Sequence, residues 1–150
     1  MYCFDTDVLS STMRRTPPLA LIRRLAALPA AHQHTTAITV GELVYGIAKS
    51  GRADLAGSVR ALLETAVTVL PFDAGAAAVF GGLRADLERD GRPLAEPDLR
   101  IASIALARDL TLVTSSRRHF DGVPGLRVEN WLAGSAGPGV DLTVPPSTTS

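Results

Sequence analysis

The stretch "FDTDVL", residues Phe4 to Leu9, sets two carboxylates, Asp5 and Asp7, one residue apart directly after the apolar opening Tyr2-Cys3-Phe4. An apolar run that ends in acid reads as a short buried strand, Tyr2 to Asp5, delivering charge to the edge of a sheet. In open α/β sheets, ligands bind beyond the carboxyl ends of the strands, where loops and helix N-termini gather. The reading of the rest of the chain follows from whether other strands share that edge.

They are expected to. A helix from about Val8 to Arg15 ends at Thr16-Pro17-Pro18, since proline cannot continue it. Leu21, Ile22, Leu25 and Leu28 recur at helical spacing and predict a second helix over Leu19 to Leu28. His34 to Ala37 reads as a strand, and Thr39-Val40-Gly41-Glu42 has the form of a capping box opening a helix that runs to the Ser50-Gly51 break. Further helices are expected over Asp54 to Ala66, Asp73 to Asp90 (stopped by Gly91) and Asp98 to Arg108 (with Pro97 at its entrance). Strands are expected at Val67 to Leu70, Thr111 to Thr114 and Leu126 to Val128. Short strands separated by helices predict an α/β fold, a three-layer α/β/α sandwich with a mainly parallel sheet, because parallel neighbours need crossover connections. The expected domain covers 1–133, and the Gly-, Pro-, Ser- and Thr-rich segment 134–150 reads as a disordered tail.

Composition agrees with one globular domain: 150 residues, 46% hydrophobic and 20% charged. No signal-peptide pattern opens the chain, and no apolar run is long enough for a membrane span, so a soluble protein without membrane contact is expected. Cys3 is the single cysteine. No intrachain disulfide is then possible, which fits a reducing cytoplasm. Fifteen basic and fifteen acidic residues cancel, so net charge makes no case for nucleic acid. The basic side chains are nonetheless nearly all arginine, and the pairs Arg14-Arg15, Arg23-Arg24 and Arg117-Arg118 suit two-point contact with phosphate.

Three acids are candidates to meet at the strand ends. Asp5 ends the first strand, Glu42 lies in the first turn after the second, and Asp98 opens the helix feeding the strand that ends at Thr114, provided that helix begins over the same edge. Clustered carboxylates repel one another in a poorly hydrated pocket, and a hard divalent cation relieves that repulsion at neutral pH. Mg2+ or Mn2+ suits the oxygen donors and leaves room for water and phosphate, which points to phosphodiester chemistry. Each acid also has a structural reading. Asp7 is expected as an N-cap, Glu42 closes a capping box with Thr39, and Asp98 favours a helix dipole.

Four segments together resemble the PIN-domain ribonucleases, specifically the VapC-type toxins of bacterial toxin–antitoxin pairs. They are "FDTDVL", "TTAITVGELVYGI", "EPDLRIASIALARDLTLVTSSRRHF" and "VPGLRVENW", and their order and spacing match over about residues 2–132. The resemblance implies RNA cleavage with Mg2+ or Mn2+, a homodimer and a cognate antitoxin that occludes the site. It also implies that Asp5, Glu42 and Asp98 are the metal-binding acids. Two positions depart from the pattern: Ser116 and His119 stand where relatives often carry an acid or amide. His119 before Phe120 is therefore either a surface histidine or an aid to the leaving group.

On this reading Asp5 and Asp98 are the principal ligands, and Glu42 holds the attacking water or completes the shell. Thr6, Thr114 and Ser116 orient water or phosphate, while Arg117 and Arg118 grip the RNA backbone. Two rivals are a PIN-like module that binds antitoxin and RNA without cutting, and a haloacid-dehalogenase-like phosphatase. The second also opens on Asp-x-Asp but wants a lysine near the site, and Lys49 lies on a central helix.

Overall fold

Tyr2, Cys3 and Phe4 form β1 (Tyr2–Phe4), the middle strand of a sheet whose other members are β2 (Gln33–Thr36), β3 (Thr68–Leu70), β4 (Thr111–Val113) and β5 (Val128–Glu129). This computed structural model describes residues 1–132; the expected boundary after 133 and the tail over 134–150 lie outside the described residues. The order is β3-β2-β1-β4-β5 and every neighbouring pair is parallel, as the alternation of strands and helices predicts.

Alternation of side chains along each strand divides the core in two. Cys3 and Leu112 face α5 (Ala74–Arg89) and α6 (Glu96–Ala107), where Leu83, Leu87, Ile101, Ile104 and Phe120 pack. Phe4 and Val113 face the opposite layer, built on α1 (Thr6–Thr12), α2 (Leu19–Ala27) and α3 (Ala37–Ser50), with α4 (Asp54–Thr65) beyond. Helices on both faces make the expected three layers. Among the described residues no helix is long and apolar enough to cross a membrane.

β2 is a polar strand in an apolar setting, and it works because its side chains bond to main chain. Thr35 Oγ1 donates to Phe4 O at 2.7 Å, and Gln33 Nε2 donates to Leu25 O and Leu28 O at 3.0 and 3.1 Å. Buried polar atoms with partners cost little. The Gln33 bonds also fasten the end of α2 to the sheet.

Punctuation residues act where the sequence indicates. Gly51 caps α3 with φ +69°, Gly91 follows α5 with φ +68°, and Pro97 lies in the first turn of α6. Several boundaries move. The first helix starts at Thr6 and ends at Thr12, short of the expected Arg15. The last strand is Val128–Glu129 instead of Leu126 to Val128, because the turn through Gly125 (φ +77°) keeps Leu126 bonded to Val123 O. Beyond expectation are a 3-10 turn at Ala30–His32 and the short α7 (Arg117–Phe120).

Cys3 is 0% exposed, and burial, aided by the Asp5 charge, pushes its thiol up to about 12. A bulky thiol reagent is expected to leave the native protein unlabelled and to react fully in denaturant. Rapid native labelling would show that the middle of the sheet opens far more readily than this packing allows.

Candidate active site

Because all five strands run the same way, their carboxyl ends line one edge of the sheet. Asp5 sits there immediately after β1, its own N–H still bonded to Val113 O at 3.0 Å. It is 8% exposed and both carboxylate oxygens are held. Oδ1 accepts from Thr6 N at 2.7 Å and so caps α1, while Oδ2 accepts from the buried Thr114 Oγ1 at 2.8 Å. Thr114 itself follows β4. The acid of the middle strand is thus locked by the residue that ends its neighbour.

Glu42 arrives differently from the sequence expectation. The N-cap of α3 is Thr36, the last residue of β2, whose hydroxyl accepts from Thr39 N at 3.0 Å. Thr36 and Thr39 also share a hydrogen bond between their hydroxyls. Thr39 is therefore inside the helix, no Thr39–Glu42 capping box forms, and Glu42 falls in the second turn. That shift releases its carboxylate from any capping duty.

Asp98 stands in the first turn of α6. The last turn of α6 meets the start of β4, where Leu110 N bonds Ala105 O and Thr111 pairs with Tyr2. A twelve-residue helix spans about 18 Å at about 1.5 Å per residue, so its opposite end lies toward the carboxyl edge. The expected condition on this helix is met.

The acids sense one another. Burial raises the Glu42 carboxyl above its ordinary range, the charges of Asp5, Asp98 and Asp7 raise it further, and the Thr6 hydroxyl opposes them. Burial and then Asp5 raise Asp98, with His119 opposing. Burial and Asp5 raise Asp7 as well, against hydrogen bonds from backbone N–H groups. Mutual repulsion of this kind is what a cation would relieve. Two polar atoms also lack partners: Glu42 Oε1 and Thr6 Oγ1 are buried without hydrogen bonds. Although Thr6 is near enough to favour the charged form of Glu42, the pair does not close a bond.

Among the described residues no three His, Cys, Asp or Glu side chains are arranged as a ready cage for a metal ion. This donor set still fits Mg2+ or Mn2+, which bind through one or two carboxylates and retain several waters. The orphaned Glu42 oxygen is suited to a water in such a shell. It does not fit a closed structural site.

Asp7 is not the N-cap; Asp5 is. Asp7 Oδ1 accepts from Val8 N at 2.9 Å, and Oδ2 accepts from the N–H and hydroxyl of Ser115, the N–H at 2.9 Å. It thus ties α1 to the loop beyond β4. Ser115, which the sequence reading passed over, does the holding. Ser116 is half-buried, donates its N–H to Thr114 Oγ1 at 3.0 Å and opens α7. His119 Nδ1 lies 3.6 Å from Asp98 Oδ2. Arg117 is exposed and pairs with Asp121 at 3.5 Å, whereas Arg118 lines a cleft beside Asp98. Lys49 Nζ lies over the Tyr45 ring at 5.7 Å, and Lys49 lines neither the cleft that holds Glu42 nor the one that holds Asp98, which gives the phosphatase reading no support.

Thr114→Val tests the lock on Asp5. Removing the hydroxyl leaves Asp5 Oδ2 without its buried donor at nearly constant volume. The expected cost is about 1–3 kcal/mol in a urea melt, and a change within experimental error would mean that water replaces the bond.

An apolar cleft of about 590 Å³ opens on Thr6 and Glu42, walled by Met13, Leu43, Ile47 and Leu55 with Arg14 and Arg15 at its side. The apolar residues of α2 divide between core and surface. Leu21 is buried and Leu25 and Leu28 pack on the core, leaving Leu19 and Ile22 exposed.

The PIN domain family profile matches residues 2–126. The chain is 35% identical over 130 residues to the tRNA(fMet)-specific endonuclease VapC of Shigella flexneri, covering 87% of this chain and 97% of that one. It is 33% identical over 131 residues to ribonuclease VapC2 of Haemophilus influenzae, covering 87% and 98%. Among solved structures it resembles VapBC2 from Rickettsia felis bound to a promoter DNA fragment, with TM-score 0.77, 30% identity and coverage of 87% and 98%. DNA-bound VapBC from Salmonella typhimurium gives TM-score 0.73 and 30% identity, covering 87% and 97%.

Proposed function

This chain belongs to the PIN-domain family, and from that premise we propose that it is the endoribonuclease toxin of a toxin–antitoxin pair. The observation that carries the reading is the meeting of Asp5, Glu42 and Asp98 in one electrostatic field, with a buried Glu42 oxygen left without a partner. Asp5 and Asp98 hold the divalent cation, Mg2+ or Mn2+, and Glu42 orients the attacking water. When bound, the cation supplies Lewis acidity at the scissile phosphate and a water of lowered pKa. Thr114 and Thr6 fix the orientation of Asp5, and Asp7 with Ser115 holds the loop beyond β4 against α1. Arg118 contacts the RNA backbone. Arg117, already paired with Asp121, contributes less than the sequence alone suggests.

A cognate antitoxin inhibits the enzyme, and the apolar cleft leading to Glu42 suits a segment of it, since filling that cleft blocks approach to the acids. Exposed Val44 and Tyr45 on α3 support a second protein contact, assigned here to a homodimer. Cleavage of cellular RNA implies a cytoplasmic protein. The name of the Shigella relative makes tRNA(fMet) the first substrate to try.

The test uses purified protein and RNA under three conditions: chelator alone, Mg2+ and Mn2+. Cleavage with either ion and none in chelator is expected. Unchanged RNA in all three, with RNA still bound, supports the non-cutting module instead.

A further inference from the structure

A second cleft, of about 540 Å³, opens beside Asp98, and Arg92, Arg118, His119 and Gly122 line it. Arg92 comes from the turn between α5 and α6, and Arg118 and His119 come from α7. Among the described residues most arginines are spoken for by carboxylates, including Arg84, Arg89, Arg100, Arg108 and Arg127. The Arg92 and Arg118 side chains make no ion pair or hydrogen bond among those residues. The two acids in the cleft are otherwise engaged: Asp121 pairs with Arg117, and Asp98 belongs to the proposed metal site.

The position of Arg92 has a local cause. A Cβ built on Gly122 would stand 3.5 Å from Arg92 Cδ and 3.7 Å from Nη1, so the guanidinium lies along the bare glycine. Two uncommitted guanidinium groups in a cleft also lined by Asp98, a proposed metal ligand, match a phosphodiester strand, whose oxygens accept paired N–H donors. An exposed arginine without a carboxylate keeps its full charge for such a ligand.

We infer that Arg92 and Arg118 form a clamp on single-stranded RNA, holding the phosphate adjacent to the scissile one as the strand leaves the acid cluster. This inference rests on the proposed ribonuclease reading. Arg92 positions the substrate and takes no part in the bond-breaking step. Its effect is therefore on RNA affinity and KM, with kcat little changed.

The test is fluorescence anisotropy with a short labelled single-stranded RNA, titrated with metal-free protein in chelator over a series of salt concentrations. Arg92→Ala is expected to weaken binding about five- to tenfold and to reduce the slope of log affinity against log salt by about 0.7, the loss of one phosphate contact on a single strand. Gly122→Asp leaves Arg92 in place but gives it a carboxylate partner, and is expected to produce the same loss. Arg92→Lys keeps the slope while recovering only part of the affinity. Thermal melts of all three are expected to match wild type, since Arg92 is exposed and a Cβ at Gly122 meets only ordinary contact distances. An unchanged slope in Arg92→Ala overturns the clamp, and if wild type still cuts RNA with Mg2+ the nuclease reading survives that result. A slope reduced by Arg92→Ala in a protein that cuts nothing with any divalent ion supports the arginine contact with RNA but overturns the nuclease reading, and with it the placement beside a scissile phosphate.

Discussion

Asp98→Asn is expected to lower the rate of RNA cleavage on the order of a thousandfold or more, the scale at which loss of one preorganised charge at a reacting centre acts. The substitution is nearly isosteric, so the loss isolates charge. Asp98 makes one contact of note, His119 Nδ1 at 3.6 Å, and its carboxylate is held against burial and against Asp5. Removing that charge therefore relieves repulsion in the metal-free protein. Its thermal midpoint in chelator is expected to rise, by the equivalent of about 1 kcal/mol, while the stabilisation by added Mg2+ or Mn2+ disappears. Cells expressing the variant without antitoxin are expected to grow, whereas wild type arrests them. Asp5→Asn gives the same loss of cleavage without the gain in stability, because Asp5 Oδ1 caps α1 and Oδ2 accepts from Thr114. The measurements are a gel assay on RNA and paired melts. Cleavage within tenfold of wild type in both variants would remove the acid cluster from the chemistry.

Phe4→Ala is expected to destabilise the fold by about 3–5 kcal/mol, the usual cost of deleting a buried aromatic ring. Phe4 is 0% exposed, and its ring meets that of Trp131 edge to face at 5.5 Å. Tyr2 meets the same indole at 4.9 Å, Arg24 lies over it at 4.1 Å, and Trp131 Nε1 donates to Glu129 Oε2 at 2.7 Å. Two rings in β1, Phe4 and Tyr2, thus fasten the segment after β5 to the second core. Against a total of about 5–15 kcal/mol for a domain, such a loss leaves a large unfolded fraction at growth temperature. A urea melt measures it. A change below about 1 kcal/mol would show that the segment around Trp131 closes over the cavity.

The strands and helices were legible because their signals are local. An apolar run of two or three residues ending in acid, alanine-rich helical periods, and Gly51, Gly91 and Pro97 at the ends carry their meaning within a few positions. β2 was harder to read, since Gln33, His34, Thr35 and Thr36 have no apolar pattern. Its place depends on bonds to Tyr2 and Phe4, residues distant in sequence, and to Leu25 and Leu28 at the end of the preceding helix.

The candidate site divides along the same line. Which acids exist, which strands they follow and the likeness to PIN-domain ribonucleases were all present in the order of residues. Which carboxylate does which task was not. In Asp5-Thr6-Asp7 either aspartate can cap a helix, and the choice falls to Asp5 because Ser115, 108 positions away, holds Asp7. Thr36-x-x-Thr39 and Thr39-x-x-Glu42 are overlapping capping patterns, and the end of β2 in the sheet selects the first, freeing Glu42. Arg117 and Arg118 are identical by type and adjacent, yet only Arg117 finds Asp121, one helical turn on. By itself the sequence determined the fold and the stock of reactive groups, because periodicity and turn chemistry act over short range. The tertiary structure alone decided their roles, because a hydrogen bond goes to whichever partner the fold brings within about 3 Å.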